Sequence, residues 1–459
     1  MGATLVTLSN ILKEYYMGPI VEQLNKEVFL LTRLESKSED LVGKRAYVPL
    51  QATRTGGIGA RAENADLPAA GNLSYEKAVY DLKYLYGKVN VSGPSMAKTK
   101  SEAGAFLQAL KSELDMLRVD LRKDLARQVY GDGTGTIAAI TAISAKAATV
   151  SGVTAAAGDC IITLKSNATS GYEAGEGSQA INKGQLYVGM VITLKDSAGA
   201  SVTNGISIPI TGVFPDAAAG VHLITVTTAT APTYASGQVI VRAGVNKYTS
   251  QEALASGNPG TYSLSDEIDG LKRIVSSTAS LGGIAATGST SWWASQDVPL
   301  EATTATNGVR VISFDDIQKA LNKVRVAGGT PTAIVTSLGV QREIYGLFQT
   351  QGVYQENVQT PDYSAGFRTL TYAGLPIVAD IDAPYGTMYI LDESSLKVFS
   401  DQDFHFLDTD GQTLRQAGNT DAFEAVMVRY MNMGAVRRNN QAVLNNIAVD
   451  GPGGFDKGF

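Results

Sequence analysis

The sequence predicts an α+β protein with a projecting β-ribbon, a long helix and a separate block of strands. Three observations carry this. Two alternating stretches, "RAYVPLQAT" (45–53) and "VYDLKYLYGKVNVS" (79–92), flank a 19-residue connection, "RTGGIGARAENADLPAAGN" (54–72), rich in Gly, Ala and Asn. Connections of that length are uncommon and mark functional or disordered segments. After the ribbon, leucine recurs at helical steps. The next stretch, 136–245, has only ten Asp, Glu, Lys or Arg in 110 residues, half the 18% charge of the whole chain.

Composition narrows the function. With 459 residues, 44% hydrophobic content and a net charge of −6, the chain can bury more than one core and carries no basic excess for gripping nucleic acid. Cys160 is the lone cysteine, and His222 and His405 are the two histidines, so disulfides, thiolate zinc sites and imidazole-based triads lack their residues. No cofactor or metal is expected. The start, "MGATLVTLSNILKEYY", has no basic region followed by an apolar core, and Val6 stands where a myristoylation signal needs Ser or Thr. The longest uncharged tract, 221–241, is broken by Pro232 and Gly237 and reads as strands. A cytoplasmic, non-membrane location is expected.

In chain order, residues 1–44 read as an amphipathic arm, with Leu8, Ile11, Leu12 and Tyr15 at helical spacing. A second helix starts near Pro19 and carries Ile20, Leu24, Val28 and Leu31. The ribbon spans 45–92; alternation puts Tyr80, Leu82, Tyr84 and Tyr86 on one face and Asp81 and Lys83 on the other. Such a ribbon lacks a core of its own and needs something to lie on. A helix over 100–130 follows, opened by a Thr99/Glu102 capping box. Its stripe of Leu107, Leu110, Leu114, Leu117, Leu121, Leu125 and Val129 has a mean step near 3.7 residues. The mixed-charge face, Lys111 through Arg127, reads as solvated, with a surface for a charged partner as the alternative. Residues 136–245 hold short strands such as "CIITLKS" and "HLITVTTAT" and predict a small barrel or sandwich. Helices are expected over 265–279 and 313–329, the second capped by Ser313 and Asp316. A mixed lobe follows: strands at 332–337, 375–380, 387–392 and 396–400, a helix at 338–349, a hairpin around Asp410-Gly411 and a long strand at 421–437.

The motifs that suggest chemistry weaken on inspection. "GDGTG" (131–135) has the wrong spacing for a dinucleotide loop, and the helix precedes it, so a phosphate would face the negative end of the dipole. Gly131 reads instead as a left-handed residue closing the helix. "DTDG" (408–411) lacks the later calcium ligands, with Asn419 where the bidentate glutamate belongs. "VGK" and "YGK" fall short of a P-loop, and Arg437-Arg438 is too small a basic cluster for a nucleic-acid site. Trp292-Trp293 reads as one core and one contact residue. No catalytic set survives.

The order of parts resembles the major capsid protein of tailed bacteriophages, with the HK97-like fold. The resemblance rests on "AENADLPAAGN" followed by "DLKYLYGKVNVSG", on "LQALKSELDMLRVDLRKDLARQVYGDGTG", and on "LTYAGLPIVADIDAPYGTMYILDESSLKVF". It implies an N-terminal arm (1–44), an E-loop (45–92), a spine helix of the peripheral domain (93–135), an inserted β domain (136–245), further peripheral domain (246–309), an axial domain (310–400) and a return to the peripheral domain (401–459). It implies hexamers and pentamers that close an icosahedral shell around double-stranded DNA, with portal, scaffold and decoration proteins as partners and a virion location. The mild negative charge suits a container that does not hold its DNA tightly. Arg54, Arg61, Glu63 and Asp66 at the tip, with Tyr80, Tyr84 and Tyr86, are the expected contacts between subunits. Charged pairs there set register more than they add energy. An encapsulin enclosing cargo protein is the main alternative; an unidentified enzyme and a secreted β-rich adhesin are weaker ones.

Overall fold

The computed structural model describes residues 29–35, 38–40, 45–63, 65–94, 109–165, 177–196, 199–218, 221–245, 266–298, 308–350, 370–407, 414–418 and 420–450. The arm pattern before Phe29, the Thr99/Glu102 box, Leu107 and the Asp410-Gly411 turn lie outside these residues.

Helix α1 (Phe29–Glu35) buries Leu30, Leu31 and Leu34, and the short β1 (Ser38–Asp40) follows. β2 (Arg45–Gln51) and β3 (Tyr75–Asp81) form the antiparallel ribbon, with Arg45 opposite Asp81 and Gln51 opposite Tyr75. The second ribbon strand thus starts earlier than expected and ends at Asp81. Leu82 interrupts it, and β4 (Lys83–Ser92) pairs with a different strand. The long helix α2 (Ala109–Val129) comes next. It closes on a tight turn in which Gly131 N–H donates to the Gln128 carbonyl. The left-handed residues are Gly133 and Gly135, both at φ +76°, not Gly131 as expected. Tyr130 and Gly131 N–H each donate three residues back, to Arg127 and Gln128, a tightened last turn that closes the helix without a left-handed residue at Gly131. Gly270 is pressed against this helix end, where a Cβ on it would lie 2.3 Å from the Gln128 carbonyl and 2.4 Å from that of Gly131. Asp132 then accepts from the Thr134 backbone and hydroxyl, fixing the turn.

The low-charge segment is a closed barrel. β5 (Ala138–Lys146), a small hairpin of β6 (Thr149–Val150) and β7 (Val153–Thr154), β8 (Asp159–Leu164), helix α3 (Gly177–Asn182), β9 (Val191–Lys195), β10 (Ile208–Ala218), β11 (Val221–Thr227) and β12 (Val239–Arg242) follow in order. Six of the strands close in the order β10-β11-β8-β5-β12-β9. Ile140, Ile162, Leu164, Ile192, Leu194 and Ile240 are among the side chains that fill its interior, as in other small barrels. Its first and last strands are neighbours, and Ile137 N–H donates to the Ile240 carbonyl.

Helix α4 (Leu271–Ile274) is only four residues long, where 265–279 predicted a full helix. Gly270 is held extended against the end of α2, and the Asp269 side chain is taken by Arg273 and Asn432. A 3-10 turn (Gly288–Trp293) buries Trp293, whose indole donates to the Leu281 carbonyl, and leaves Trp292 half-buried. β13 (Gln296–Asp297), α5 (Phe314–Val326), β14 (Ala333–Thr336), α6 (Leu338–Thr350), β15 (Leu370–Tyr372), β16 (Leu375–Ala379) and β17 (Met388–Leu391) build the lobe. The Ser313–Asp316 capping box on α5 is present in both directions. β18 (Leu396–Phe406), β19 (Arg415–Gln416), β20 (Ala422–Ala435), a 3-10 turn (Arg438–Asn440) and β21 (Ala442–Leu444) complete the chain. The lobe sheet runs β13-β21-β17-β14-β16-β15, so it draws strands from outside 310–400. A second sheet runs β1-β18-β20-β19, with β4 also on β20. β18 and β19 therefore do not form the hairpin expected over 404–416; the longer β20 supplies the partner for each.

The chain falls into two compact units. One takes residues 86–123 and 404–428, and within it Lys88 pairs with Glu424 and Gly93 N–H donates to the Asp421 carbonyl. The other takes 28–85, 124–403 and 429–459, and holds the ribbon, the barrel and the lobe.

Candidate assembly surfaces

The ribbon is firm at its foot and bare at its tip. At the foot, Arg45 and Asp81 pair across the last rung at 2.6 Å. Asn432 donates to the Asp81 carbonyl and to the Asp269 carboxylate, accepts from Asp269 N–H, and Arg273 closes the group on Asp269 at 2.6 Å. Lys83 is buried beside these groups; burial lowers its ammonium below the usual lysine value, against the opposing pull of Asp269. Val79 N–H donates to the Gly282 carbonyl. Beyond Gln51 the ladder gives way to single bonds. Ala52 N–H donates to Ser74, the Thr53 and Ser74 hydroxyls meet at 2.9 Å, and the Thr55 hydroxyl donates to the Gly71 carbonyl. Gly71 keeps the two limbs together, since a Cβ on it would lie 2.4 Å from Gly56 N.

The residues expected at the tip sit as follows. Arg54, Arg61, Glu63 and Asp66 are exposed, and no ion pair joins them among the described residues. Tyr84 and Tyr86 lie 55% and 59% exposed on one face of β4, and Tyr84 meets Tyr430 edge-on at 5.2 Å. Tyr80 does not share that face. It is 1% exposed, stacks on Phe399 at 5.3 Å and donates its hydroxyl to the Ala435 carbonyl. Burial raises its pKa. The break at Leu82 resets the alternation, so Tyr80 is a core residue and not a contact candidate. Lys83, Leu85 and Gly87 take the inward face in its place.

Two residues that the sequence reading passed over dominate the tip. Ile58 is 82% and Leu67 87% exposed. Both were visible as single large apolar residues in "GGIGA" and "ADLPAA", where every neighbour is small or polar.

Along α2 the leucine stripe is graded. Leu125 is fully buried, and Leu114, Leu117 and Leu121 are half-buried. Gly87 admits the last two, since a Cβ there would lie 2.6 Å from Leu121 and 2.8 Å from Leu117. Leu110 lies in the helix, but its side chain is outside the description. The charged face is not solvated at its C-terminal end, contrary to expectation. Asp124 accepts from Arg127, Gln128 and the barrel's Arg242, and Arg127 forms a two-pronged pair with Glu267. Burial opposes ionisation of Asp124, but Arg127 and Arg242 overcome it and lower its pKa. Burial raises Glu267 against the pull of Arg127. The barrel adds a small exposed apolar set of Tyr187, Val188, Val191 and Ile206.

Among the described residues there is no group of three or more His, Cys, Asp or Glu that could hold a metal, and no helix long and apolar enough to cross a membrane.

The sequence matches no protein-family model and no curated protein. The structure matches solved capsids along nearly its whole length. The cyanophage A-1(L) capsid shares 14% identity at a TM-score of 0.54, covering 97% of this chain and 99% of that one. The capsid of an empty GTA particle shares 9% at 0.50, with 97% and 99% covered. The holo-SrpI encapsulin complex from Synechococcus elongatus shares 8% at 0.47, with 98% of each chain covered. The chain has the HK97-like capsid fold, in an α+β form that includes a six-stranded barrel.

Proposed function

We propose that this chain is the major capsid protein of a tailed bacteriophage, assembling through copies of itself into hexamers and pentamers of an icosahedral shell around double-stranded DNA. One observation carries the reading: on an HK97-like fold, a firmly footed ribbon holds Ile58 and Leu67 in solvent, away from any core of its own subunit. Large apolar side chains held out on a projecting loop are what a neighbouring chain can bury at the centre of a contact. Arg54, Arg61, Glu63 and Asp66 surround that contact and are free to set its register. The role is structural, not enzymatic. Portal, scaffold and decoration proteins are its further partners, and the host cytoplasm is where assembly takes place. The inserted-domain reading of 136–245 belongs to the same proposal and is supported by the barrel's closed strand order and adjacent ends.

The test is the double variant Ile58→Lys, Leu67→Lys, expressed with the scaffold. Subunits are expected to melt as the unmodified protein does, because neither side chain contributes to a core, while shells disappear from light scattering and negative-stain images. Shells at normal yield would overturn the contact. Nucleic acid extracted from purified particles separates a DNA container from an encapsulin-type shell, whose contents would be protein.

A further inference from the structure

The loop at residues 380–385, between β16 and β17, touches more of the molecule than its length suggests. One Asp380 carboxylate oxygen, Oδ2, accepts from the Tyr130 hydroxyl at 2.8 Å, just past the end of α2, and from Leu30 N–H at 3.3 Å in α1. The other, Oδ1, accepts from Asp382 N–H at 3.0 Å, within the loop itself. Asp380 N–H donates to the Thr336 carbonyl, and Ala383 N–H to the Asp380 carbonyl, so the loop is tied to β14 and closed on itself. That turn aims two carbonyls at the barrel. Lys183, directly after α3, donates to Ala383 O at 2.6 Å and Asp382 O at 3.3 Å, with its ammonium 4.6 Å from the centre of the Tyr385 ring. Tyr385 N–H donates to the Gln179 side chain of α3. Asp380, Ala383, Tyr385 and Lys183 are all buried.

We infer that this loop is a shared socket, through which the seating of the barrel and the seating of α1 depend on each other. The physical link is the single carboxylate. Its Oδ2 orientation is set by Tyr130 and Leu30; the same rotation sets Oδ1 on Asp382 N–H, and that bond fixes the two carbonyls that hold Lys183. Losing either side frees the carboxylate to rotate and weakens the other. Burial makes the alternatives costly, because a buried polar group that loses a partner bears its desolvation cost. The device belongs to the single chain and does not depend on what the protein encloses.

Hydrogen exchange of full-length, unassembled subunits tests it, reading three segments: α1, the barrel segment 177–186, and β17 as the reference. Lys183→Met removes the donors from the barrel side and is expected to raise exchange in α1 by about fivefold or more, the lower range of ordinary coupling between sites. Asp380→Asn, which replaces an accepting oxygen by a donor, is expected to raise exchange in 177–186 likewise. Lys183→Arg keeps the donors and should leave α1 close to the unmodified protein. If Lys183→Met does not fold, Gln179→Ala loosens the same seat and should give the same cross-effect. Changes confined to the mutated side overturn the proposal. So does a uniform rise that includes β17, which would mean only a general loss of stability.

Discussion

At the residue scale, Asp392 shows how a buried charge is held by neutral donors, with no cation paired to it among the described residues. It follows β17 and is almost wholly enclosed. Ser394 donates its backbone and hydroxyl to Oδ1, while Ser395 and Asn440 donate to Oδ2. Burial disfavours the carboxylate, but these donors outweigh burial and hold its pKa below the ordinary aspartate value. The sign follows. A lowered folded pKa contributes stability that is complete above the unfolded value of about 3.9 and fades as pH falls through the folded one. Urea unfolding of unassembled subunits between pH 7 and pH 3 should therefore show a smaller loss of stability for Asp392→Asn than for the unmodified chain. An equal loss in both would mean Asp392 does not titrate differently on folding. Tyr80 makes the complementary point. A tyrosine in an alternating run looks like its neighbours Tyr84 and Tyr86 in sequence, yet a one-residue slip at Leu82 sends it to the core and them to solvent.

At the element scale, the long helix is the clearest case of pattern meeting packing. Its stripe is fully covered at Leu125 and only half covered at Leu117. Leu125→Ala should cost roughly 2–5 kcal/mol in urea unfolding, the range for large-to-small changes in cores, and Leu117→Ala clearly less. The reverse order would mean that the helix presents a different face to the core. Periodicity revealed this helix and the capped α5, because each buries a regular face, while lobe strands such as β14 and β17 were legible as short apolar runs and are buried throughout. It failed where a distant partner decides. Nothing near Asp266 announces that Gly270 must press against the end of α2, so a helical pattern over 265–279 yields four helical residues. Likewise the pattern over 404–416 predicts a hairpin, but β20, from later in the chain, takes the pairing of both β18 and β19. The tip followed the same logic in reverse. Charged residues attract notice in a sequence, while Ile58 and Leu67 gain meaning only once nothing covers them.

At the scale of the whole molecule, the question is whether the barrel is a body of its own or part of the subunit's core. Its interior is filled by its own strands, and its chain ends meet where Ile137 N–H binds the Ile240 carbonyl. A domain inserted into a host needs that closeness, since the host must stay continuous. Polar attachments that tie it down include Arg242 to Asp124, Lys183 to the 380–385 loop, and Gln179 to Tyr385. Lys183 and Tyr385 are buried and Arg242 is partly exposed, but none of them belongs to the barrel's own apolar interior, so they position a folded body more than they create one. Replacing 136–243 by a short Gly/Ser linker should therefore leave a host that unfolds cooperatively, because loop closure varies slowly with length. Its stability should fall by a few kcal/mol, since Asp124 loses one of its two cations and the 380–385 carbonyls lose their lysine. The isolated 136–245 segment should unfold cooperatively by itself. An unfolded segment together with an aggregating host would place these strands in the main core, and the glycines at 131–135 would then mark a helix end and nothing more.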